Sequence, residues 1–368
     1  MMSRTKSFKV DSISFLGHAV FFALVLAGLI VGCAGSNASQ TAEKTAAPDS
    51  SSEAPKKVDS PAKQAGAARE GDWDLGEISL HYRTIGVGRP IILLHGGPGG
   101  NYGVFKPLEE LADSYKLIMY DQRASGSSAR IPVEQLNEDP GLISVSKHVD
   151  DLEAIRKKLG LEKMVLLGHS WGASLAAFYA AEYPQNIEKL ILYNGGPVWP
   201  ELLQKRKEEI MKRLPVEVVS EIESQVKLLS ENITKWDQQK LDEWFVNIAK
   251  LNIPTLYCDP AKMAKTEIGP GGFWANFLTN KYQEDFDIEK FKKDIAKVQA
   301  PVLLTSGRCE VSPLERQTVL QEAMPNTSLV VYKNSGHHPL TEEHDLFIQT
   351  IRAFLEGQPL PLDLHSSK

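Results

Sequence analysis

The chain has 368 residues, 42% of them hydrophobic, which is enough for a sizeable core in one large domain or two smaller ones. A formal net charge of −6 and a pI near 5.9, without a basic stripe, argue against a nucleic-acid partner. The cysteines and histidines show no spacing typical of a metal site. We therefore expect no metal ion, no cofactor and no nucleic acid.

The N-terminus resembles an export signal. Basic residues precede a mostly apolar stretch at 15–31, and Cys33 directly follows Gly32. This order is similar to a bacterial lipoprotein signal peptide, in which Cys33 is lipidated and becomes the mature N-terminus. An ordinary cleaved signal peptide and an uncleaved anchor helix are the alternatives. We predict a lipoprotein-type signal at residues 1–33 and a membrane anchor on Cys33.

Residues 34–70 are predicted to be a disordered linker. They consist mostly of small, polar and charged residues and cannot bury enough apolar surface to fold. The domain beyond them is expected in the bacterial cell envelope, outside the cytoplasm. Ala34 after the lipidated cysteine is compatible with sorting to an outer membrane. An exported chain could join Cys258 to Cys309, but the sequence does not show whether they are close.

Alternating strand and helix patterns predict an α/β fold. A half-exposed strand at 78–83 is followed by continuous apolar runs, which are typical of strands buried on both faces of a parallel sheet. These runs are 91–94, 117–120, 164–167, 189–193 and 301–306, with a further strand at 328–332. We predict a mostly parallel central sheet with helices on both faces, formed by residues 71–197 and 297–358.

Residues 198–296 have no strong strand pattern and contain three helical patterns. This insertion follows the strand at 189–193, so we expect it to lie over the carboxyl ends of the strands. Ligands bind at that edge of open α/β sheets. We predict a helical cap that forms part of the substrate pocket; a separate helical interaction domain is the alternative.

Residues 164–173 predict a catalytic serine. A buried strand leads into Gly-His-Ser-Trp-Gly at 168–172, and an alanine-rich helix follows. This is the nucleophile elbow of α/β-hydrolases, in which a tight turn presents the serine hydroxyl. Glycines flank Ser170 because strand and helix approach each other closely.

A serine nucleophile needs a base and an acid that orients the base. In this fold the chain order is Ser, acid, His. Glu310, in the loop after a buried strand, fits the acid, and Glu315 at a helix start is the alternative. His337, which follows the last strand, is preferred as the base over His338.

Three motifs together resemble the proline iminopeptidase branch of the α/β-hydrolases, serine peptidase family S33. They are His-Gly-Gly-Pro-Gly-Gly at 95–100, Asp-Gln-Arg-Ala-Ser-Gly at 121–126 and the elbow at 168–172. The resemblance implies a cap inserted after the sixth strand and removal of an N-terminal residue, often proline, from a peptide. It also implies that the oxyanion is bound by the backbone N–H groups of Gly97 and Trp171.

The chain departs from this branch at His169, where glycine is usual, and at Glu310, where aspartate is usual. Iminopeptidases also hold the substrate amine with cap glutamates, and the cap carboxylates here match no family motif. They include Glu208, Glu209, Glu221, Glu223, Glu243 and Glu267. We therefore expect a membrane-anchored serine hydrolase acting through an acyl-enzyme on a small peptide or ester, foremost an aminopeptidase. A carboxylesterase or lactone hydrolase with the same triad, and a non-catalytic surface binding protein, are the alternatives.

Overall fold

The computed structural model describes residues 66–263 and 269–361; the predicted signal peptide with Cys33, and most of the linker, lie outside these residues. One eight-stranded sheet runs through the molecule in the order β1-β2-β4-β3-β5-β6-β7-β8. Only β1–β2 and β2–β4 pair antiparallel. The strands are β1 (Arg69–Asp74), β2 (Ser79–Ile85), β3 (Arg89–Leu94), β4 (Tyr115–Tyr120), β5 (Met164–His169), β6 (Ile187–Tyr193), β7 (Val302–Gly307) and β8 (Thr327–Tyr332).

Helices cover both faces of the sheet, and five of them lie between β6 and β7. Described α-helices are α1 (Val133–Glu138), α2 (Val145–Lys158), α3 (Trp171–Glu182), α4 (Pro200–Arg213), α5 (Val216–Asn232), α6 (Gln238–Asn252), α7 (Phe273–Asn280), α8 (Ile288–Ile295), α9 (Glu315–Ala323), α10 (Pro339–Glu342) and α11 (His344–Glu356). Segments of 3₁₀-helix are Tyr102–Asp113, Pro140–Ile143, Pro184–Asn186, Ile253–Leu256, Pro260–Lys262 and Lys281–Glu284. The predicted fold class, including the helical insertion after the sixth strand, is confirmed.

The first strand corrects the predicted linker. β1 begins at Arg69 and pairs antiparallel with β2, so Arg69 and Glu70 belong to the sheet and not to the linker 34–70. Trp73 anchors this edge strand by stacking on Tyr82 with ring centroids 4.3 Å apart. The strand carries mostly polar residues, because only one of its six side chains is buried. Its sequence therefore lacks the apolar alternation that reveals a half-buried strand.

The central strands are apolar on both faces because each face is covered. On one face β3, β5 and β6 pack against α2, α3 and α8; on the other they pack against the Tyr102–Asp113 segment and α11. The insertion contributes Phe245, Ile248 and Phe273 to a second apolar cluster, which it shares with Leu136 and Ile143 of the core. In the described part of the chain, we find no helix long and apolar enough to cross a membrane.

Candidate active site

Ser170 occupies the tight turn between β5 and α3. Its φ is 57° and its ψ is −119°, a backbone conformation that non-glycine residues rarely adopt. A Cβ atom at Gly168 would overlap with the carbonyl oxygen of Gly172, and one at Gly172 would overlap with that of Leu94. The flanking glycines are therefore required by close packing. The hydroxyl oxygen of Ser170 is buried and has no hydrogen-bond partner among the described residues.

The structure brings Glu310 and His337 together. The Nδ1 atom of His337 lies 2.6 Å from Oε2 of Glu310, and both side chains are buried. Burial alone would raise the pKa of Glu310, but His337, Arg316 and Arg206 together hold that pKa below its ordinary value. A carboxylate at Nδ1 fixes the ring tautomer that leaves Nε2 as the acceptor. Nε2 of His337 has no hydrogen-bond partner within the described ranges.

The alternative acid and base lie in other surroundings. Glu315 is half-exposed and forms an ion pair with Lys205 on the cap. His338 is buried and stacks on Tyr257 with ring centroids 4.9 Å apart. Burial is the main cause that lowers its pKa well below 6.5, and the neighbouring His169 and His337 lower it further. Neither residue takes part in the hydrogen bond between Glu310 and His337, the pairing that a catalytic acid and base require.

His169 and His95 are buried beside Ser170 and bond to neighbouring loops. Burial and the neighbouring His337 lower the pKa of His169 to about 3, and its Nε2 faces the carbonyl oxygen of His337 at 3.3 Å. Burial lowers the pKa of His95 to about 4. Its Nε2 accepts from the backbone N–H of Gln122 at 2.9 Å, so its Nδ1 donates to the Gly96 carbonyl oxygen at 2.8 Å. Both rings remain neutral at neutral pH and order the loops beside Ser170.

Gln122 links the two predicted oxyanion segments. Its side-chain amide donates to the carbonyl oxygen of His95 at 2.8 Å and accepts from the indole N–H of Trp171 at 2.7 Å. Trp171 begins α3, where the first backbone N–H groups lack an acceptor within the helix. A Cβ atom at Gly96 would lie 3.0 Å from that of Ser170, so the glycine-rich loop adjoins the nucleophile. The backbone N–H groups of Gly97 and Trp171 remain the oxyanion donors that we expect.

The other residues of the Asp-Gln-Arg motif fix neighbouring loops. The carboxylate of Asp121 accepts from the backbone N–H groups of Tyr102 at 2.8 Å and Ser127 at 2.7 Å. Arg123 makes a buried two-point ion pair with Asp151, with distances of 2.7 and 2.6 Å. The motif thus supports the site without contacting the reacting atoms.

Asn194 is a positioning residue that the sequence analysis missed. Its amide nitrogen donates to the carbonyl oxygen of Gly336 at 2.8 Å and lies 3.4 Å from Oε2 of Glu310. The hydroxyl of Thr305 donates to its carbonyl oxygen at 2.8 Å. Asn194 therefore joins the acid loop to the histidine loop. The available signal was an asparagine directly after a buried strand and before two glycines.

The cap is bonded to both catalytic loops. Cys258 and Cys309 form a disulfide, and Cys309 directly precedes Glu310. The backbone N–H of His337 donates to the carbonyl oxygen of Leu256 at 2.6 Å. Glu342 accepts from the backbone N–H groups of Cys258 at 2.7 Å and Gly336 at 2.6 Å. The segment around 256–258 therefore determines where the acid and base loops lie.

The pocket at Ser170 is small and is formed by both the core and the cap. It has a volume of about 10 Å³, enough for one water molecule. Arg206 from α4 and Arg316 from α9 line it together with Tyr282. Among the described residues that line it, none is a carboxylate. This cavity is smaller than a peptide or an ester.

A sequence profile described as the α/β-hydrolase fold matches residues 89–344. The chain belongs to the α/β-hydrolase family. This α/β-hydrolase is 30% identical over 297 residues to the proline iminopeptidase of Clostridium botulinum. The alignment covers 78% of this chain and 97% of the relative. It is 28% identical over 298 residues to that of Lactobacillus helveticus, with the same coverage.

Among solved structures, it resembles an α/β fold family hydrolase from Bacillus anthracis with a TM-score of 0.59 and 21% identity. The match covers 78% of this chain and 99% of that one. The strand order, the family profile and the relatives together show that this protein is a hydrolase similar to the proline iminopeptidase branch.

Proposed function

We propose that the protein is a serine hydrolase that acts through an acyl-enzyme on Ser170 and removes an N-terminal residue from small peptides. The observation that carries this proposal is the hydrogen bond between Nδ1 of His337 and Glu310, because it leaves Nε2 of His337 as an acceptor for a proton. Neither this Nε2 nor the Ser170 hydroxyl has another hydrogen-bond partner among the described residues. The similar proline iminopeptidases support the choice of an aminopeptidase.

In the first step the hydroxyl oxygen of Ser170 attacks the carbonyl carbon of the scissile bond. Its proton passes to Nε2 of His337, and Glu310 stabilises the imidazolium that forms. The negative charge on the carbonyl oxygen is bound by the backbone N–H groups of Gly97 and Trp171. The bond to the leaving group then breaks, and the leaving amine or alcohol takes the proton from His337.

In the second step a water molecule enters and hydrolyses the acyl-enzyme. His337 removes a proton from the water while the oxygen attacks the acyl carbon. The second tetrahedral intermediate uses the same oxyanion donors. Ser170 recovers its proton when the acid product leaves, so the enzyme returns to its starting state.

A carboxylesterase or lactone hydrolase is the second candidate function. The favouring observation is that the Ser170 pocket, within the described chain, is lined by two arginines and lacks a carboxylate for a substrate amine. Ester hydrolysis needs the same nucleophile, base and oxyanion donors but no amine-binding group. The choice between the two functions therefore depends on groups away from the triad.

Substrate preference is tested with three aryl substrates and the full chain. We expect turnover of a proline arylamide and at least about tenfold lower kcat/KM for its N-acetylated form, which lacks the free amine an aminopeptidase recognises. A short-chain aryl ester serves as the third substrate, and release of the arylamine or phenol is followed by absorbance. Turnover of the ester with no turnover of either amide would contradict the aminopeptidase and favour the esterase.

We further propose that the protein resides in the bacterial cell envelope, attached to a membrane by lipid on Cys33. The lipoprotein-type sequence at 1–33 supports this, and the linker would keep the domain outside the cytoplasm. The disulfide between Cys258 and Cys309 adds independent support, because disulfides persist mainly in oxidising, extracytoplasmic compartments.

Replacing Cys33 with alanine is expected to move the protein from the membrane fraction to the soluble fraction or to leave it unprocessed. The reason is that alanine has no thiol to accept lipid. Cell fractionation and mass spectrometry of the N-terminus measure the change. Ser39→Ala in the linker is the matched control and should stay with membranes. A wild-type protein that keeps residues 1–32 and carries no lipid on Cys33 would favour an uncleaved anchor helix instead.

A further inference from the structure

Two buried arginines lie at the Ser170 pocket and have no part in the proposed triad. Arg206 is 3% exposed and Arg316 is 2% exposed. They come from different parts of the fold, since α4 belongs to the cap and α9 to the core. A guanidinium without water is costly unless a negative group compensates it. The guanidinium of Arg316 beside the nucleophile therefore needs an explanation.

Arg316 carries unused hydrogen-bond donors. Its Nε and Nη2 atoms are buried, and neither has a hydrogen-bond partner in the part of the chain that the structure describes. Buried polar groups are nearly always hydrogen-bonded, and an unmade bond from a charged group is especially unfavourable. The planar guanidinium presents its donors in a fork that matches a carboxylate. The free donors of Arg316 are thus suited to bond to an acceptor on the substrate.

The single carboxylate of Glu310 does not neutralise the charge of both arginines. Its carboxylate interacts electrostatically with both, but its hydrogen-bond partners are His337, Asn194 and the backbone N–H of Ser312. One carboxylate, already bonded to His337, faces two guanidinium groups. The side of the pocket lined by the two arginines is consequently positive and favours an anion.

We propose that the pocket beside Ser170 binds a carboxylate of the substrate, hydrogen-bonded by Arg316 and attracted by the charge of Arg206. This inference rests on the proposed function, because it concerns the substrate of the same nucleophile. Arg316 lies on the core side with Ser170, so it keeps its place when the cap moves. Arg206 lies on the cap, so an anion between the two would also favour closure.

The carboxylate can belong to the acyl part or to the leaving part of the substrate. The acyl arm of the test compares the mono-4-nitrophenyl ester of adipic acid with its methyl ester, which is neutral but otherwise matched. The leaving-group arm compares the dipeptide Pro-Gly with Pro-Gly amide. For wild type we expect kcat/KM to be at least about tenfold higher for the charged member of one pair.

The variant Arg316→Gln separates substrate binding from support of Glu310. We expect it to reduce the charged-to-neutral ratio of kcat/KM at least about tenfold in that pair. Lys205→Gln, an exposed neighbour of Arg206 on α4, is the matched control and should keep the wild-type ratio. Equal losses on charged and neutral substrates would mean that Arg316 acts only through Glu310 and would overturn the proposal. Equal kcat/KM for the charged and the neutral member of both pairs, measured with the wild type, would overturn the proposal as well.

The inference is also tested without turnover, so that its failure differs from failure of the proposed function. The full-length Ser170→Ala protein is titrated with monomethyl adipate and with dimethyl adipate while its melting temperature is followed. We expect only the charged ligand to raise the melting temperature, and Arg316→Gln in the same background to remove the shift. If wild type hydrolyses no substrate yet this shift is present, the proposed function fails and the carboxylate site stands. No shift with monomethyl adipate or with Pro-Gly, titrated in the same way, would overturn the site.

Discussion

Replacing Ser170 with alanine is expected to lower kcat by at least about 10⁴-fold on any substrate that the wild type hydrolyses. In the proposed mechanism the hydroxyl forms the acyl-enzyme, and alanine removes the reacting oxygen itself. The fold should survive, because the Oγ atom makes no hydrogen bond in the described structure that could be lost. The kinetics are measured on purified full-length protein with the aryl ester or the arylamide.

Covalent labelling with a fluorophosphonate gives a second measurement of the same change. Wild type should be labelled at Ser170, whereas Ser170→Ala should not react. The control is Ser220→Ala on the exposed face of α5, which should retain wild-type labelling and kcat. Labelling at another serine, or residual kcat within tenfold of wild type, would contradict the assignment of the nucleophile.

The strands and the elbow were predictable because their signals are local. The buried runs at 91–94 and 164–167 are apolar on both faces of the sheet, and both lie within observed strands. The glycines around Ser170 are dictated by close packing between β5 and α3, which a short motif records. By contrast, β1 is an edge strand with one buried side chain, so its polar sequence looked like linker.

Outside the predicted triad, several contacts between distant parts of the chain could not be predicted. Glu310 and Asn194 are 116 residues apart, and the disulfide joins cysteines separated by 51 residues. Their proximity depends on the parallel order of β6, β7 and β8 and on the path of the cap. The burial of Arg206 could not be predicted for a related reason. A single arginine in a charged helix is typical of a solvated face, and only the packing of the cap buries it.

Replacing Glu310 with glutamine is expected to lower kcat by about 10³- to 10⁴-fold while the protein remains folded. The carboxylate has two tasks: it accepts from Nδ1 of His337, and it stabilises the imidazolium formed when Ser170 gives up its proton. Glutamine has nearly the same shape but no charge. The loss should appear in kcat more than in KM, because the charge on His337 develops only during the reaction.

The hydrogen bonds of Glu310 explain why glutamine cannot substitute in either orientation. If the amide oxygen faces His337, the NH₂ group meets the backbone N–H of Ser312, which now donates to the other carboxylate oxygen at 3.2 Å. If the NH₂ group faces His337, it donates to Nδ1 and moves the ring proton to Nε2, where it can no longer accept from the serine. Each orientation therefore places two donors together or produces the wrong tautomer.

Glu315→Gln is the matched control for the choice of acid. It removes a carboxylate five residues further along the chain, from a half-exposed ion pair with Lys205 that contributes little to stability. We expect its kcat to stay within about threefold of wild type, since exposed pairs have small energetic effects. Equal losses in both variants would refute the assignment of the acid to Glu310. The two variants remove the same chemical group, so a difference between them isolates the contact with His337.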